Sequence, residues 1–240
     1  MDTTGYVALS RAITLRERLD SIAHNLANVD TPGFRAELDR TMAVPFRTAP
    51  RESVSYVQLV AKLYDASEGP IERTGNPLDL AIHGPGFFTV MTADGPAYTR
   101  HGHFELDPEG RIVTTEGYAL LDENGAPIEV PPGSGPVTVA GDGTISTRAG
   151  PLARIRPVSF ADPLQLERDA GGLFRSDAPA IPVEEARIVQ GALEGSNVRP
   201  VHELTRLIET QRGFEHALRM IETWFDLDRR TTERALSARA

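Results

Sequence analysis

Cysteine is absent from the 240-residue chain, and lysine occurs once, at Lys62. Without cysteine there are no disulfide staples, thiolate metal sites or cysteine nucleophiles. An oxidising compartment is compatible with such a chain, because it cannot be mis-crosslinked there. No apolar run approaches the ~20 residues needed to cross a bilayer, so no membrane insertion is expected. A net charge of -9 argues against a nucleic-acid partner, which would want basic patches for phosphate. The first residues, Met1-Asp2-Thr3-Thr4-Gly5, lack the basic region and apolar block of a secretory signal peptide. Any export is therefore expected to use a route that cleaves no such peptide. With an apolar content of 40%, the chain has ordinary material for a core of one or two domains.

What is present begins with two helices at the ends. Residues 5–29 carry Ala8, Ala12, Leu15, Leu19, Ile22 and Leu26 at alternating steps of four and three. That is the narrow a/d stripe of a coiled-coil seam. Asp30-Thr31-Pro32-Gly33 stops the helix, since proline disfavours helical geometry in the residue before it. From 201 to 228 the stripe returns as Leu204, Leu207, Gln211, Phe214, Leu218, Ile221 and Phe225, widened by Ile208 and Trp224. Gln211 is a polar residue on that seam, of the kind that fixes register or partner. The two ends are expected to pair antiparallel. A lone two-helix seam is marginal in water, so helices of other chains are expected to complete it.

Between the ends the pattern changes to β. Leu78-Asp79-Leu80-Ala81-Ile82 alternates as a half-buried strand does, and Phe87-Phe88-Thr89-Val90 resumes after Gly84-Pro85-Gly86. Asp107-Pro108-Glu109-Gly110 has turn residues in turn order, followed by the strand Arg111-Ile112-Val113-Thr114. Asp122-Glu123-Asn124-Gly125 and Asp142-Gly143 repeat the signal. The predicted fold is α+β. It has an N-terminal coiled-coil helix (1–30), an extended connecting segment (31–75), a central antiparallel β domain (76–180), a returning segment (181–200), and a C-terminal coiled-coil helix with tail (201–240).

No catalytic constellation stands out in the sequence. His101, His103 and Glu105 share one face of a predicted strand, but a strand-borne His-x-His-x-Glu is a weak zinc pattern, and surface or interface histidines explain it. The Asp-x-x-Gly turns do not continue to the twelfth-position acid of a calcium loop. Gly133-Ser134-Gly135 is not a nucleophile elbow, and Gly84-Pro85-Gly86 lacks the third glycine and following helix of a dinucleotide loop. No catalytic, cofactor-binding or metal residue is assigned, no small-molecule ligand is expected, and the chain is read as not an enzyme.

The segment Asn25-Leu26-Ala27-Asn28-Val29-Asp30-Thr31-Pro32-Gly33-Phe34-Arg35 resembles the N-terminal signature of bacterial flagellar rod and hook proteins. Further landmarks follow in family order. They are Pro77–Ile82 with Gly86-Phe87-Phe88, Tyr98–Phe104, Gly141–Ile145, and Gly191-Ala192-Leu193-Glu194-Gly195-Ser196-Asn197-Val198. Within the family, Thr31–Ala36 and Leu193–Val198 look closer to proximal-rod than to distal-rod members.

The resemblance implies a structural subunit of the basal-body rod, assembled into a helical tube for motility. The terminal helices would form an inner layer and the β domain would lie outside. Its implied partners are copies of itself, other rod proteins, and the flagellar type III export apparatus. Asn25, Leu26, Asn28, Thr31, Gly33 and Phe34 are expected to set the turn after the first helix, with Gly195, Ser196, Asn197 and Val198 answering on the return. Residues beyond Asp228 extend past the family's usual end. The alternatives are a distal-rod or hook paralogue, or an extracellular β-domain binding module or enzyme.

Overall fold

From Tyr6 to Ala27 there is neither glycine nor proline, and the first helix, α1, spans Thr3–Ala27. In the computed structural model, residues 3–49, 52–162 and 166–237 are described. The second helix, α2, spans Pro200–Ser237. It opens on proline, whose missing N–H is an unbonded position there in any helix. Glu203 follows in the first turn, favourable at the positive end of the helix dipole. Past Asp228 the sequence holds no glycine or proline up to Ser237, and the helix simply continues, with Arg229 Nε 3.1 Å from Glu233 one turn on. Residues 238–240 of the tail lie outside the described residues.

Two compact units result. One joins the residues up to Ala27, Glu37–Leu63, and those from Arg199 on; the other joins Asn28–Ala36 with Tyr64–Val198.

In the first unit, α1 and α2 lie side by side and run in opposite directions, with Gly5 against Trp224 and Leu15 against Gly213. Strands β1 (Glu37–Ala49) and β2 (Glu52–Tyr64), which fall in the expected connecting segment, pair into a two-stranded sheet. This sheet is tied to α1 by polar contacts. Thr14 Oγ1 donates to the Val57 carbonyl at 3.2 Å, and Ser21 Oγ donates to Asp39 at 2.9 Å.

The second unit is built of β-structure. Seven strands form one sheet in the order 167–168, 174–175, 95–99, 88–92, 119–120, 112–114, 104–106. A three-stranded sheet of 138–139, 144–147 and 150–154 accompanies it. The expected turns close hairpins here. Phe104–Leu106 pairs antiparallel with Ile112–Thr114, and Asp107 accepts from the Arg111 N–H at 2.7 Å. The core gathers Leu80, Ile82, Phe88, Val90, Phe104, Ile112, Leu120, Ile128, Ile145 and Ile155, with Phe88 and Phe104 edge to face at 5.4 Å. A second cluster joins Phe87, Tyr98, Phe160 and Phe174.

The strand around Leu80 differs from its expected half-buried form. Leu80, Ala81 and Ile82 are all buried, and so is Asp79. The Asp79 carboxylate is inside because donors surround it: Thr74 Oγ1 and Asn76 Nδ2 (2.9 Å) donate to it, and His103 Nδ1 lies 2.6 Å away. A polar residue in an alternating pattern can be buried when the interior supplies its hydrogen bonds.

Candidate assembly site

The turn after α1 begins with Asn25. Its side chain is buried and matches the peptide of Glu37: Nδ2 donates to the carbonyl at 3.0 Å and Oδ1 accepts from the N–H at 2.7 Å. Leu26 is half-buried beside it. Thr31 Oγ1 donates to Asn28 Oδ1 at 3.2 Å, and the Thr31 N–H donates to the Asn28 carbonyl at the same distance. Gly33 has φ +68°, and a Cβ there would stand 2.4 Å from the Arg100 carbonyl carbon. Only glycine fits both the left-handed geometry and that approach. The Gly33 N–H donates to the Glu194 carbonyl at 2.7 Å.

Phe34 is buried with Ala36 and Val198, and the Arg168 guanidinium sits 4.4 Å from its ring centroid. Gly195 donates to the Pro70 carbonyl at 2.7 Å, and Ser196 Oγ accepts from the Val198 N–H at 3.2 Å. Asn197 Oδ1 accepts from the Ala36 N–H at 2.7 Å. Its Nδ2 donates to the carbonyls of Asp65 (3.0 Å) and Ser67 (2.9 Å). Thr31, Gly33 and Phe34 are thus brought to the same region as Gly195, Asn197 and Val198.

Sequence reasoning missed the charges in this region. Arg35, Arg100 and Glu194 are all buried, with Arg35 Nη2 2.8 Å from Glu194 Oε1 and Arg100 Nε 3.2 Å from Oε2. Burial pulls the Arg100 guanidinium down to about 10, with Glu194 opposing the shift, so it stays charged at neutral pH. All three lie inside landmark segments. Around Arg35 and Arg100 the neighbouring Phe34, Ala36 and Thr99 are buried as well.

The helix stripes divide in a way the sequence did not indicate. On α1, Ala8, Ala12 and Ile22 are buried, and Leu15, Leu19 and Leu26 are half-buried. On α2, Leu207, Phe214 and Ile221 are half-buried, but Leu204, Gln211, Leu218 and Phe225 are exposed. The most buried positions of α2 are Glu203, Thr210 and Ala217, which lie seven residues apart. Thr210 and Ala217 are small, and with Gly213 against Leu15 they let the helices approach closely. One position of the seven-residue repeat therefore faces α1, and its neighbour in the stripe faces outward. With Val201 and Ile208, the outward line carries five large apolar side chains in solvent. Tyr6, Leu9 and Ile13 are likewise exposed on α1.

His101 and His103 lie side by side, ring centroids 6.3 Å apart, and His103 Nε2 is 3.6 Å from Glu105. His103 Nδ1 is committed to Asp79. Burial holds the His101 pKa below its usual value.

Family models match three stretches of the chain. Residues 6–35 match the family model described as "Flagella basal body rod protein". Residues 81–147 match "Flagellar hook protein FlgE/F/G D1 domain", and 189–234 match "Flagellar basal body rod FlgEFG protein C-terminal". The flagellar basal-body rod protein FlgF of Caulobacter vibrioides is 42% identical over 98% of both chains. FlgF of Salmonella typhimurium is 36% identical, covering 92% of this chain and 93% of that protein. FlgG of Bacillus subtilis is 30% identical, covering 91% and 93%. On these matches the chain belongs to the flagellar basal-body rod protein family, the structural subunits of the bacterial flagellar rod.

Proposed function

We propose that the chain is a proximal-rod subunit that works by assembly and not by catalysis, and that the open faces of α1 and α2 are its contact surfaces. The carrying observation is the outward line Val201, Leu204, Ile208, Leu218 and Phe225, left in water at heptad spacing beside a line already packed on α1. Such a helix has a second seam to fill. Covering it with helices of neighbouring subunits would gain about 25 cal/mol per Å² of apolar surface. Contacts of this kind are head to tail and do not close, so they build a helical tube. In this reading the two helices act as a coiled-coil layer with their neighbours, and the segments Asn25–Phe34 and Gly195–Val198 hold the turns that flank them.

The partners are other copies and other rod proteins in the basal body. Export is by the flagellar type III apparatus. The absence of cysteine and the marginal stability of an uncovered helix pair both suit passage as an unfolded chain. The similarity to FlgF, higher than to FlgG among these relatives, favours the proximal over the distal position. An in-frame deletion in the bacterium that carries the gene tests the reading. Loss of swimming with basal bodies that lack a complete rod, restored by the intact gene, supports it. Normal swimming with complete rods refutes it.

A further inference from the structure

Arg35, Arg100 and Glu194 come from three distant stretches of the chain and meet in the interior, each at most 2% exposed. Two cations share one carboxylate there. Glu194 Oε1 takes Arg35 at 2.8 Å and also accepts from the Gly69 N–H at 2.9 Å. Oε2 faces Arg100 Nε at 3.2 Å, an ion-pair contact without an aligned hydrogen bond. Arg100 further donates to the carbonyls of Ile82 (3.4 Å) and Gly84 (2.8 Å). Arg35 Nη1 has no hydrogen-bond partner among the described residues. Removing the Glu194 charge would leave two desolvated guanidinium groups facing each other, which an interior does not tolerate.

The order of the chain gives this arrangement a direction. Arg35 sits in the turn after α1, Arg100 in the body, and Glu194 in the strand Ala192–Glu194 shortly before α2. The carboxylate is the last of the three to emerge, and the same residue's carbonyl holds the Gly33 N–H at 2.7 Å.

We propose that Glu194 is the positioning residue of this junction: its charge seats the turn 28–36 on the body, so the segment after α1 locks only once the segment leading into α2 has docked. A chain whose C-terminal segment is missing or undocked keeps its N-terminal turn open. The two ends therefore become competent for assembly together. That last step rests on the rod reading; the locking itself does not.

Glu194→Gln tests the charge alone, because glutamine keeps the size and an acceptor for Gly69. Amide hydrogen exchange is measured on the full-length chain at Gly33 and Gly69, with Ile112 and Leu121, whose N–H groups donate to the carbonyls of Ile128 (3.0 Å) and Thr89 (2.9 Å), as references. The expected result is exchange at Gly33 faster by on the order of 100-fold with the references still protected. A second variant, Arg35→Met/Arg100→Met/Glu194→Gln, removes all three charges and is expected to recover most of the protection at Gly33. Unchanged exchange at Gly33 in Glu194→Gln, or a triple variant as open as the single one, overturns the proposal. Should Glu194→Gln unfold the whole body, the triple variant decides: folded supports the charge argument, unfolded overturns it. In complementation, Glu194→Gln is expected to fail to restore swimming. Normal swimming alongside open exchange overturns the link to assembly while leaving the rod reading intact.

Discussion

The side-chain carbonyl of Asn197 accepts the backbone N–H of Ala36 at 2.7 Å, across 161 residues of sequence. The same amide reaches the carbonyls of Asp65 and Ser67 through its Nδ2. One side chain thus joins three passages of the chain, near Ala36, near Asp65 and its own. Each of those peptide groups is satisfied by this residue where regular sheet pairing gives out.

Asn197→Ala leaves the buried Ala36 N–H and two carbonyls to find other partners. An unsatisfied buried group costs about 1–3 kcal/mol, so a loss of about 2–3 kcal/mol is expected in urea unfolding followed by near-ultraviolet circular dichroism. A loss under about 0.5 kcal/mol would mean that water already serves these groups.

His101 gives the body a pH dependence. Its folded pKa is depressed, chiefly by burial, below the usual 6.5. The unfolded chain therefore binds the proton more readily than the folded one, and stability rises with pH in the window below 6.5. Stability should be intact above that value and fall as pH drops through it towards the folded pKa. His101→Gln is expected to flatten the slope between 6.5 and 5 in thermal unfolding scans. An unchanged slope would assign it to other groups.

Trp224 is the only tryptophan and reports on the helix pair. A Cβ on Gly5 would lie 3.0 Å from the indole, so Gly5→Val must push the ring aside. A red shift of tryptophan emission, with reduced helicity, is expected. Unaltered emission would mean the two helix ends are not held together in solution.

The α+β class was legible because both signals behind it are local. The seven-residue stripes mark the helices, and Asp-x-x-Gly turns such as Asp107–Gly110 mark the hairpins. The β1–β2 pair was harder to read. Apolar residues such as Leu38, Met42, Val57 and Val60 stay exposed on it, so burial does not impose a clean period of two. Which half of the α2 stripe faces α1 depends on the small residues Thr210, Gly213 and Ala217, and a search for large apolar residues passes over them. The Arg35–Glu194–Arg100 cluster was invisible for a different reason. A charged residue reads as solvated in sequence, and only three-dimensional pairing makes its burial affordable.

The outward line of α2 carries the central claim, and paired variants test it most directly. Leu204→Asp and Phe225→Asp alter only exposed positions, whereas Ala217→Asp places a charge against α1. Each gene is expressed in the deletion strain, and basal bodies are examined by electron microscopy, with circular dichroism on the purified chains. The account predicts that the two exposed-face variants keep wild-type helicity yet give no complete rods, and that Ala217→Asp loses helicity as well. Complete rods built from the Leu204→Asp and Phe225→Asp chains would contradict it.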